Sequence, residues 1–201
     1  MYSGQMYLNR GPFLLIREIR GNICRRMRLP DSPSPTWRLF LALWPDEDTA
    51  AALAAHADRW QWPATVRRTA TDRLHVTLHY IGGVPVADVP RLQQALPRGW
   101  EGCTLRLDHA EVWRGGIAVL EALQVPPALT RLHLALAEVL RAQGLPVEER
   151  HYRPHVTLAR HAQGARPPQG CQPLAWQVQP RYLLVRSLPG GGGYPPVQCF
   201  G

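Results

Sequence analysis

The sequence predicts an α+β fold made of two pseudo-symmetric lobes. The order strand, helix, strand occurs in both halves of the 201-residue chain. Nearly the same phrase closes each unit: RLHVTL at residues 73–78 and RPHVTL at residues 153–158 agree at five of six positions and lie 80 residues apart. Such a repeat indicates a duplicated α+β unit. We therefore expect the two copies at the interface between the lobes.

The elements of the first unit follow from local patterns. Residues 38–44 are apolar after Arg38, which predicts a buried strand. Asp46 is the predicted N-cap of an alanine-rich helix that extends to about Trp60, because a carboxylate accepts hydrogen bonds from the first amides of a helix. The first repeat predicts a strand over residues 73–81, which Gly82-Gly83 is expected to close.

The second unit shows the same kinds of signal. A short helix is predicted over 92–96, and strands are predicted over 103–113, 117–123 and 181–187. After Pro126-Pro127, apolar residues recur every three or four positions, which predicts an amphipathic helix ended by glycine. The predicted apolar stripe consists of Leu129, Leu132, Leu136, Val139 and Leu140.

The first residues differ from the rest of the chain. Residues 1–35 have weak periodicity and end in a proline-rich run, LPDSPSP. They are predicted to be an N-terminal extension, flexible or outside the core, with a nucleic-acid-binding arm as the alternative. Residues 36–201 are predicted to form the single bilobal domain.

Composition restricts the possible functions. All 23 basic residues are arginine, and the formal net charge is +8. The absence of lysine excludes a P-loop lysine, a Schiff-base lysine and the lysine–nucleotide adduct of an ATP-dependent nucleic-acid ligase. One arginine side chain can bind two phosphate oxygens at once, so the positive charge favours an anionic partner such as RNA or a nucleotide.

Cysteine spacing and apolar runs indicate the compartment. The four cysteines, Cys24, Cys103, Cys171 and Cys199, are widely spaced and form no CxxC pair. No signal-peptide pattern occurs, and no apolar run approaches the ~20 residues of a membrane span. We therefore expect a cytoplasmic protein with reduced thiols and no membrane partner.

Each repeat carries a histidine and a threonine two residues apart. On a strand, His75 and Thr77 point to one face, and His155 and Thr157 do the same in the second copy. The valine and leucine of each HVTL phrase point to the other face, which is predicted to be apolar. Histidine titrates near pH ~6.5, so one ring can accept a proton while the other donates one. Hydrolysis of a phosphodiester needs a proton acceptor and a proton donor on opposite sides of phosphorus, and these two groups can act without a metal.

The two HVTL motifs resemble those of the two-histidine phosphoesterase superfamily. Within it, the chain resembles the RNA 2′,3′-cyclic phosphodiesterase family, historically called 2′-5′ RNA ligases. The likeness covers residues 36–201. It includes the first strand RLFLAL, the extension of the first motif to HVTLHYIG, the phrase YRPHVTLAR, and the closing strand with its glycines from Leu183 to Tyr194.

The resemblance implies a bilobal α+β fold in which each lobe is an antiparallel sheet with helices on its outer face and the active-site groove lies between the lobes. It implies hydrolysis of 2′,3′-cyclic phosphate ends of RNA or nucleotides to 2′-phosphates, with possible reverse 2′-5′ joining, by a monomer that needs no cofactor. The implied roles are proton donor for His75, proton acceptor for His155, phosphate binding for Thr77, Thr157 and Arg160, and contact with the base for Tyr152.

Three alternatives stay open from the residues alone. Strict alternation places Arg160 on the face opposite His155, unless the strand bends, and places His79 on the face of His75. The HxxxH spacings ending at His79 and His155 suggest zinc on a helix, but the strand pattern and the missing glutamate argue against a metal. The rival functions are an RNA-binding module without turnover and a cyclic phosphodiesterase for ADP-ribose 1″,2″-cyclic phosphate or another nucleotide.

Overall fold

The computed structural model describes residues 13–14, 27–28, 34–170 and 172–201. The chain divides into two units, Met1–Pro35 and Thr36–Gly201. In the first unit, strands β1 (Phe13–Leu14) and β2 (Met27–Arg28) pair antiparallel. The prediction of an extension over residues 1–35 otherwise lies outside the described residues.

The second unit consists of strands with three α-helices between them, as the sequence predicts. All its strand pairs are antiparallel, which confirms the predicted α+β class. The helices are α1 (Glu47–Asp58), α2 (Val89–Ala95) and α3 (Pro127–Ala142). The strands are β3 (Thr36–Leu43), β4 (Arg67–Arg68), β5 (Val76–Pro85), β6 (Cys103–Leu107), β7 (His109–Trp113), β8 (Ile117–Glu121), β9 (His155–Arg160), β10 (Leu174–Val178), β11 (Tyr182–Ser187) and β12 (Pro196–Phe200).

Eight of these strands form one sheet. Its order is β12-β11-β3-β5-β9-β8-β7, with β4 pairing with β9 beside this path, while β10 and β6 form a separate pair. The two motif strands, β5 and β9, meet at a single register pair, Val76 and Val156. The sheet is therefore two half-sheets joined at the motifs: the first is β12-β11-β3-β5 and the second is β9-β8-β7.

Helices α1 and α3 begin and pack as their sequences predict, whereas α2 begins at Val89, before the predicted Leu92. The Asp46 carboxylate accepts a hydrogen bond from the Thr49 amide at 2.9 Å, which satisfies one of the first free N–H groups of α1. On α3, four of the five stripe residues are buried and Val139 is half-buried. None of the helices in the described part of the chain is long and apolar enough to cross a membrane.

The predicted end of the first motif strand is wrong. β5 continues through Gly82-Gly83 to Pro85, because Ile81 forms a bulge opposite β3 and Gly82 takes a φ of 83°. A second irregularity leaves Leu78 without a register partner on β3. Leu158 on β9 is skipped in the same way opposite β8. The two motif strands therefore carry equivalent bulges, directly after the threonine of each motif.

The bulge on β5 corrects the expected position of His79. An extra residue reverses the alternation of side chains, so His79 is buried with Leu78 and no longer shares a face with His75. Its ring stacks on His133 of α3 at 4.0 Å, and His133 stacks on Tyr152 at 4.0 Å. The His79 Nε2–H donates to the His133 carbonyl at 2.9 Å, which leaves the buried Nδ1 without a partner.

The core lies on the helix side of the sheet. Val76, Leu78, Val156 and Leu158 all belong to one continuous cluster with the buried residues of the helices. A smaller cluster of Phe40, Ala42 and Val185 lies on the opposite face. The apolar faces predicted for the motifs are therefore the core faces, and the histidine faces are turned away from the helices.

We predict that the histidine stack makes the fold less stable in acid. Burial, followed by the charges of His79 and Arg141, lowers the pKa of His133 to about 4. The unfolded chain therefore binds more protons than the native one below pH ~6.5, and stability falls as the pH falls. His133→Phe keeps a stacking ring without a titrating group. It should reduce the loss of unfolding free energy between pH 7 and 5 by about 1 kcal/mol, allowing for the partial exposure of the ring.

Urea unfolding at both pH values measures this difference. The exposed His151 provides the control, since His151→Gln removes a histidine outside the stack and should keep the wild-type pH dependence. An unchanged pH dependence in His133→Phe would show that the stack does not cause acid lability.

Candidate active site

The two motif strands lie side by side and share one face of the sheet. Because Val76 and Val156 are opposite each other in an antiparallel pair, His75 stands beside Thr157 and Thr77 beside His155. Side-chain burial follows the same pattern over residues 74–80 and 154–160. Buried and half-buried residues alternate as far as the motif leucine, the next residue is buried, and the one after it is exposed. The repeat is thus a structural two-fold. It sets the histidines diagonally on one surface rather than opposite each other on facing strands.

Each histidine is held by the same backbone contact. The Nδ1 of His75 lies 2.7 Å from the Arg73 carbonyl, and the Nδ1 of His155 lies 2.7 Å from the Arg153 carbonyl. A carbonyl accepts only, so Nδ1 carries the hydrogen in both rings. Nε2 is then the nitrogen free to accept or donate a proton in both cases. This geometry brings together the two predicted proton-transfer groups in one orientation.

Burial lowers the pKa of both histidines below the ordinary 6.5. The hydrogen bond to the backbone opposes this effect in each. The two charges that act on His75 are both positive, those of His155 and Arg160. His155 also has the negative charge of Glu121, which raises its pKa, beside the positive charges of Arg153 and Arg160. The electrostatic environments of the two rings therefore differ, although their backbone contacts match.

Aromatic rings surround His75. Trp44 stacks on it at 4.9 Å with an interplanar angle of 9°, Phe40 lies at 5.2 Å, and Tyr194 meets it edge-on at 5.5 Å. The sequence predicts strands or the closing segment at these three residues and indicates no role for them at the site. Phe40 and Trp44 belong to β3 and the residue after it, whereas Tyr194 follows β11, so only the pairing of β3 with β5 and β11 brings the three rings to His75.

His155 has an ionic network behind it. The Trp113 ring lies 4.3 Å from the His155 ring, and the Arg153 guanidinium lies 4.6 Å from the centre of the Trp113 ring. Arg153 donates two hydrogen bonds to Glu121, at 2.9 and 2.6 Å, and one to Glu111 at 2.6 Å. Glu121 is only 1% exposed. The residue whose carbonyl orients His155 is therefore itself anchored by carboxylates.

The sequence contained one signal for this network. Arginine precedes the histidine by two residues in both copies, as Arg73 and Arg153. Arg73 donates to the Gly191 carbonyl at 3.0 Å and lies 5.9 Å from the Tyr194 ring centre. Both copies thus place an arginine, an aromatic ring and a histidine together, but only the second copy adds a pair of carboxylates.

Arg160 lies on the histidine face, contrary to strict alternation. The bulge at Leu158 reverses the alternation, so Ala159 is buried and Arg160 is exposed. Its charge lowers the pKa of both His75 and His155. The expectation from alternation is therefore wrong for the same reason as for His79, and the bend that phosphate contact requires is present.

Tyr152 packs behind the motif strand. One face of its ring stacks on His133, and its hydroxyl lies 3.4 Å from the backbone carbonyl of Thr77. Burial raises its pKa well above the ordinary 10. These contacts indicate a structural role in holding the first motif, and the predicted contact with a base stays a prediction.

One group in the described part of the chain has metal-ligand chemistry. Ligand atoms of His109, Glu111 and Glu121 lie within 4.8 Å of one another. Arg153 already donates to both carboxylates of this group. The group is explained as the counter-charge of Arg153, and the HxxxH spacings of the sequence do not contribute to it.

The chain matches known proteins over most of its length. The model of the 2′-5′ RNA ligase superfamily matches residues 42–186. The RNA 2′,3′-cyclic phosphodiesterase of Escherichia coli (strain K12) is 33% identical over 137 residues, which are 64% of this chain and 74% of that protein. The crystal structure of E. coli LigT in apo form superposes with a TM-score of 0.71 at 28% identity, over 83% of this chain and 98% of that one. LigT complexed with 3′-AMP gives 0.69 at 27% identity over the same shares.

We predict that nuclear magnetic resonance will find both site histidines neutral and protonated on Nδ1 at pH 7. The carbonyls of Arg73 and Arg153 impose this tautomer, and burial places the titration midpoints below pH ~6.5. Long-range ¹H–¹⁵N spectra of the imidazole rings measure both properties. His75→Ala and His155→Ala spectra assign the signals. Neutral rings protonated on Nε2, or midpoints above 6.5, would contradict the described geometry.

Proposed function

Since the chain belongs to the 2′-5′ RNA ligase superfamily, we propose that it hydrolyses the 2′,3′-cyclic phosphate ends of RNA or nucleotides to 2′-phosphates. The observation that carries the proposal is the diagonal pair of His–Thr units on one sheet face, with both Nε2 atoms free for proton transfer. This arrangement supports the roles of acid and base that we propose for the two histidines.

In the proposed reaction, the Nε2 of neutral His155 takes a proton from water as its oxygen attacks phosphorus. The bond from phosphorus to the 3′-oxygen breaks, and protonated His75 gives its Nε2 proton to that oxygen. The phosphate stays on the 2′-oxygen. Attacking and leaving oxygens lie roughly in line, which suits two groups set diagonally across the phosphate.

Three further side chains are proposed to hold the phosphate. Thr77 and Thr157 share the histidine face, where their hydroxyls can donate to the non-bridging oxygens. Arg160 brings a permanent positive charge to the same face, close enough to affect the pKa of both histidines. It would neutralise the charge that develops on those oxygens in the transition state.

The unequal surroundings of the histidines support the division of roles. The base gains positive charge as it takes the proton, and the buried Glu121 carboxylate near His155 stabilises that charge. The acid must lose positive charge, and the surroundings of His75 combine burial with two positive neighbours. Both effects favour the proposed roles, in which His155 takes a proton from water and His75 gives a proton to the leaving oxygen.

The proposed partner is an RNA or nucleotide with a cyclic phosphate. We propose that the protein acts as a monomer in the cytoplasm. Cys103 and Cys199 are free thiols, which fits a reducing compartment.

We predict that the protein converts 2′,3′-cyclic AMP and a cyclic-ended RNA to products with a 2′-phosphate, in the presence of EDTA. His75→Ala and His155→Ala should each lower kcat/KM by about 10²- to 10⁴-fold, since each removes one proton-transfer group. Phosphorus NMR of the product identifies the phosphate position. Salt-sensitive binding with intact cyclic ends would support an RNA-binding module instead, and loss of activity in EDTA would contradict metal-free hydrolysis.

We further predict that Glu121→Gln shifts the acid limb of the kcat/KM profile to lower pH and lowers the maximum about tenfold. Without the carboxylate, the pKa of His155 falls further, so the base stays neutral to lower pH but accepts a proton less readily. Initial rates between pH 4.5 and 8 measure both effects.

The matched control is Glu101→Gln, which removes the same charge from an exposed position paired with Arg131. It should keep the wild-type profile. A Glu121→Gln profile that is lower at every pH without a shifted limb would indicate a merely structural role for Glu121, and an unchanged profile would remove it from the mechanism.

A further inference from the structure

Arg160 has a second arginine beside it. On β4, Arg67 is the direct register partner of Arg160 on β9. Residues directly opposite each other in an antiparallel pair project from the same face, with Cβ atoms about 5 Å apart. Because Arg160 lies on the histidine face, Arg67 extends the positive charge of that face beyond the reacting phosphate.

This pair of charges is not neutralised within the described residues. Neither Arg67 nor Arg160 forms an ion pair there, and both are exposed. Like charges directly opposite each other on a sheet destabilise it. Two exposed guanidinium groups side by side therefore favour the binding of an anion between or along them.

The next residue, Arg68, shows the contrast. It is opposite Ala159, which is buried, so it projects to the other face. There it donates to Asp58 of α1 at 2.5 Å and lies 6.0 Å from the ring centre of Trp62. Arg68 therefore attaches β4 to α1, whereas Arg67 projects from the histidine face.

The anion must carry a second phosphate. The reacting cyclic phosphate is the proposed ligand of Arg160, and a cyclic mononucleoside has no other phosphate to offer. An RNA end has one: the phosphodiester on the 5′ side of its terminal nucleoside. Arginine binds phosphate oxygens in pairs, so a single side chain suffices for such a contact.

We propose that Arg67 binds the phosphodiester immediately 5′ of the terminal nucleoside and so makes the site selective for RNA ends over cyclic mononucleotides. This inference rests on the proposed cyclic phosphodiesterase function. It assigns Arg67 to substrate selection, and it assigns the chemistry at the cyclic phosphate to the residues named above.

The test compares Arg67→Gln with Arg68→Gln, which changes the net charge equally on the same strand. For each variant, kcat/KM is measured on 2′,3′-cyclic AMP and on the dinucleotide ApA with a 2′,3′-cyclic end, at several salt concentrations. Arg67→Gln should lower the dinucleotide value about tenfold and leave the mononucleotide value unchanged. The slope of log kcat/KM against log salt for the dinucleotide should become shallower by about 0.7.

Arg68→Gln should leave the ratio of the two substrates and the salt slope at their wild-type values, and thermal melts check that both variants fold. Equal losses on both substrates in Arg67→Gln, or no loss on either, would overturn the proposal. So would an equal loss of dinucleotide activity in the two variants.

A binding experiment separates this proposal from the proposed function. The affinities of ApA 2′-phosphate and adenosine 2′-phosphate are measured without turnover. Preference for the dinucleotide should fall about tenfold in Arg67→Gln alone. If the wild type hydrolyses neither cyclic substrate, the proposed function fails, and the binding preference still decides whether Arg67 contacts the second phosphate.

Discussion

The contact between β5 and β9 determines the rest of the site. It consists of one register pair, Val76 and Val156, buried on the helix side of the sheet. Since side chains alternate along a strand, burying these two valines turns both histidines and both threonines to the other face. Hydrophobic burial on one side of the sheet therefore places the two histidines on the other. A one-residue slip in this pair would send them into the core.

The two bulges extend this arrangement beyond the motifs. Without the irregularity at Leu158, Arg160 would point towards the helices, where an unpaired charge is costly. The equivalent irregularity at Leu78 turns His79 into the helix layer, where it stacks on His133. One distortion, used twice, thus delivers an arginine to the candidate site in one half and an anchor to the core in the other. The same β9 geometry also brings β4 alongside and sets Arg67 beside Arg160.

The sequence predicts those features of the structure that depend on local pattern. The helices, most strands, the apolar faces of the motifs and the pairing of the two histidines all followed from spacing and composition. The positions of His79 and Arg160 did not, because a bulge is defined by the partner strand and leaves no mark on alternation in one sequence. The carboxylate behind Arg153 was also beyond prediction, since Glu121 belongs to β8 and meets Arg153 only when β8 pairs with β9. Secondary structure could be predicted from the sequence, but contacts between distant segments could not.

A duplicated site that differs between its two copies can assign the acid and base roles before substrate binds. If both histidines had equal surroundings, neither would be favoured as donor, and half of the enzyme would hold the wrong protonation state for a given substrate orientation. The backbone contacts at Nδ1 stay equal, so the tautomers stay equal. The difference lies in what anchors the arginine two residues before each histidine. Arg73 is held by a backbone carbonyl of the glycine loop, and Arg153 is held by two carboxylates, of which that of Glu121 is buried. Charge placed behind one copy therefore gives two similar motifs different electrostatic surroundings, which is what the proposed roles of acid and base require.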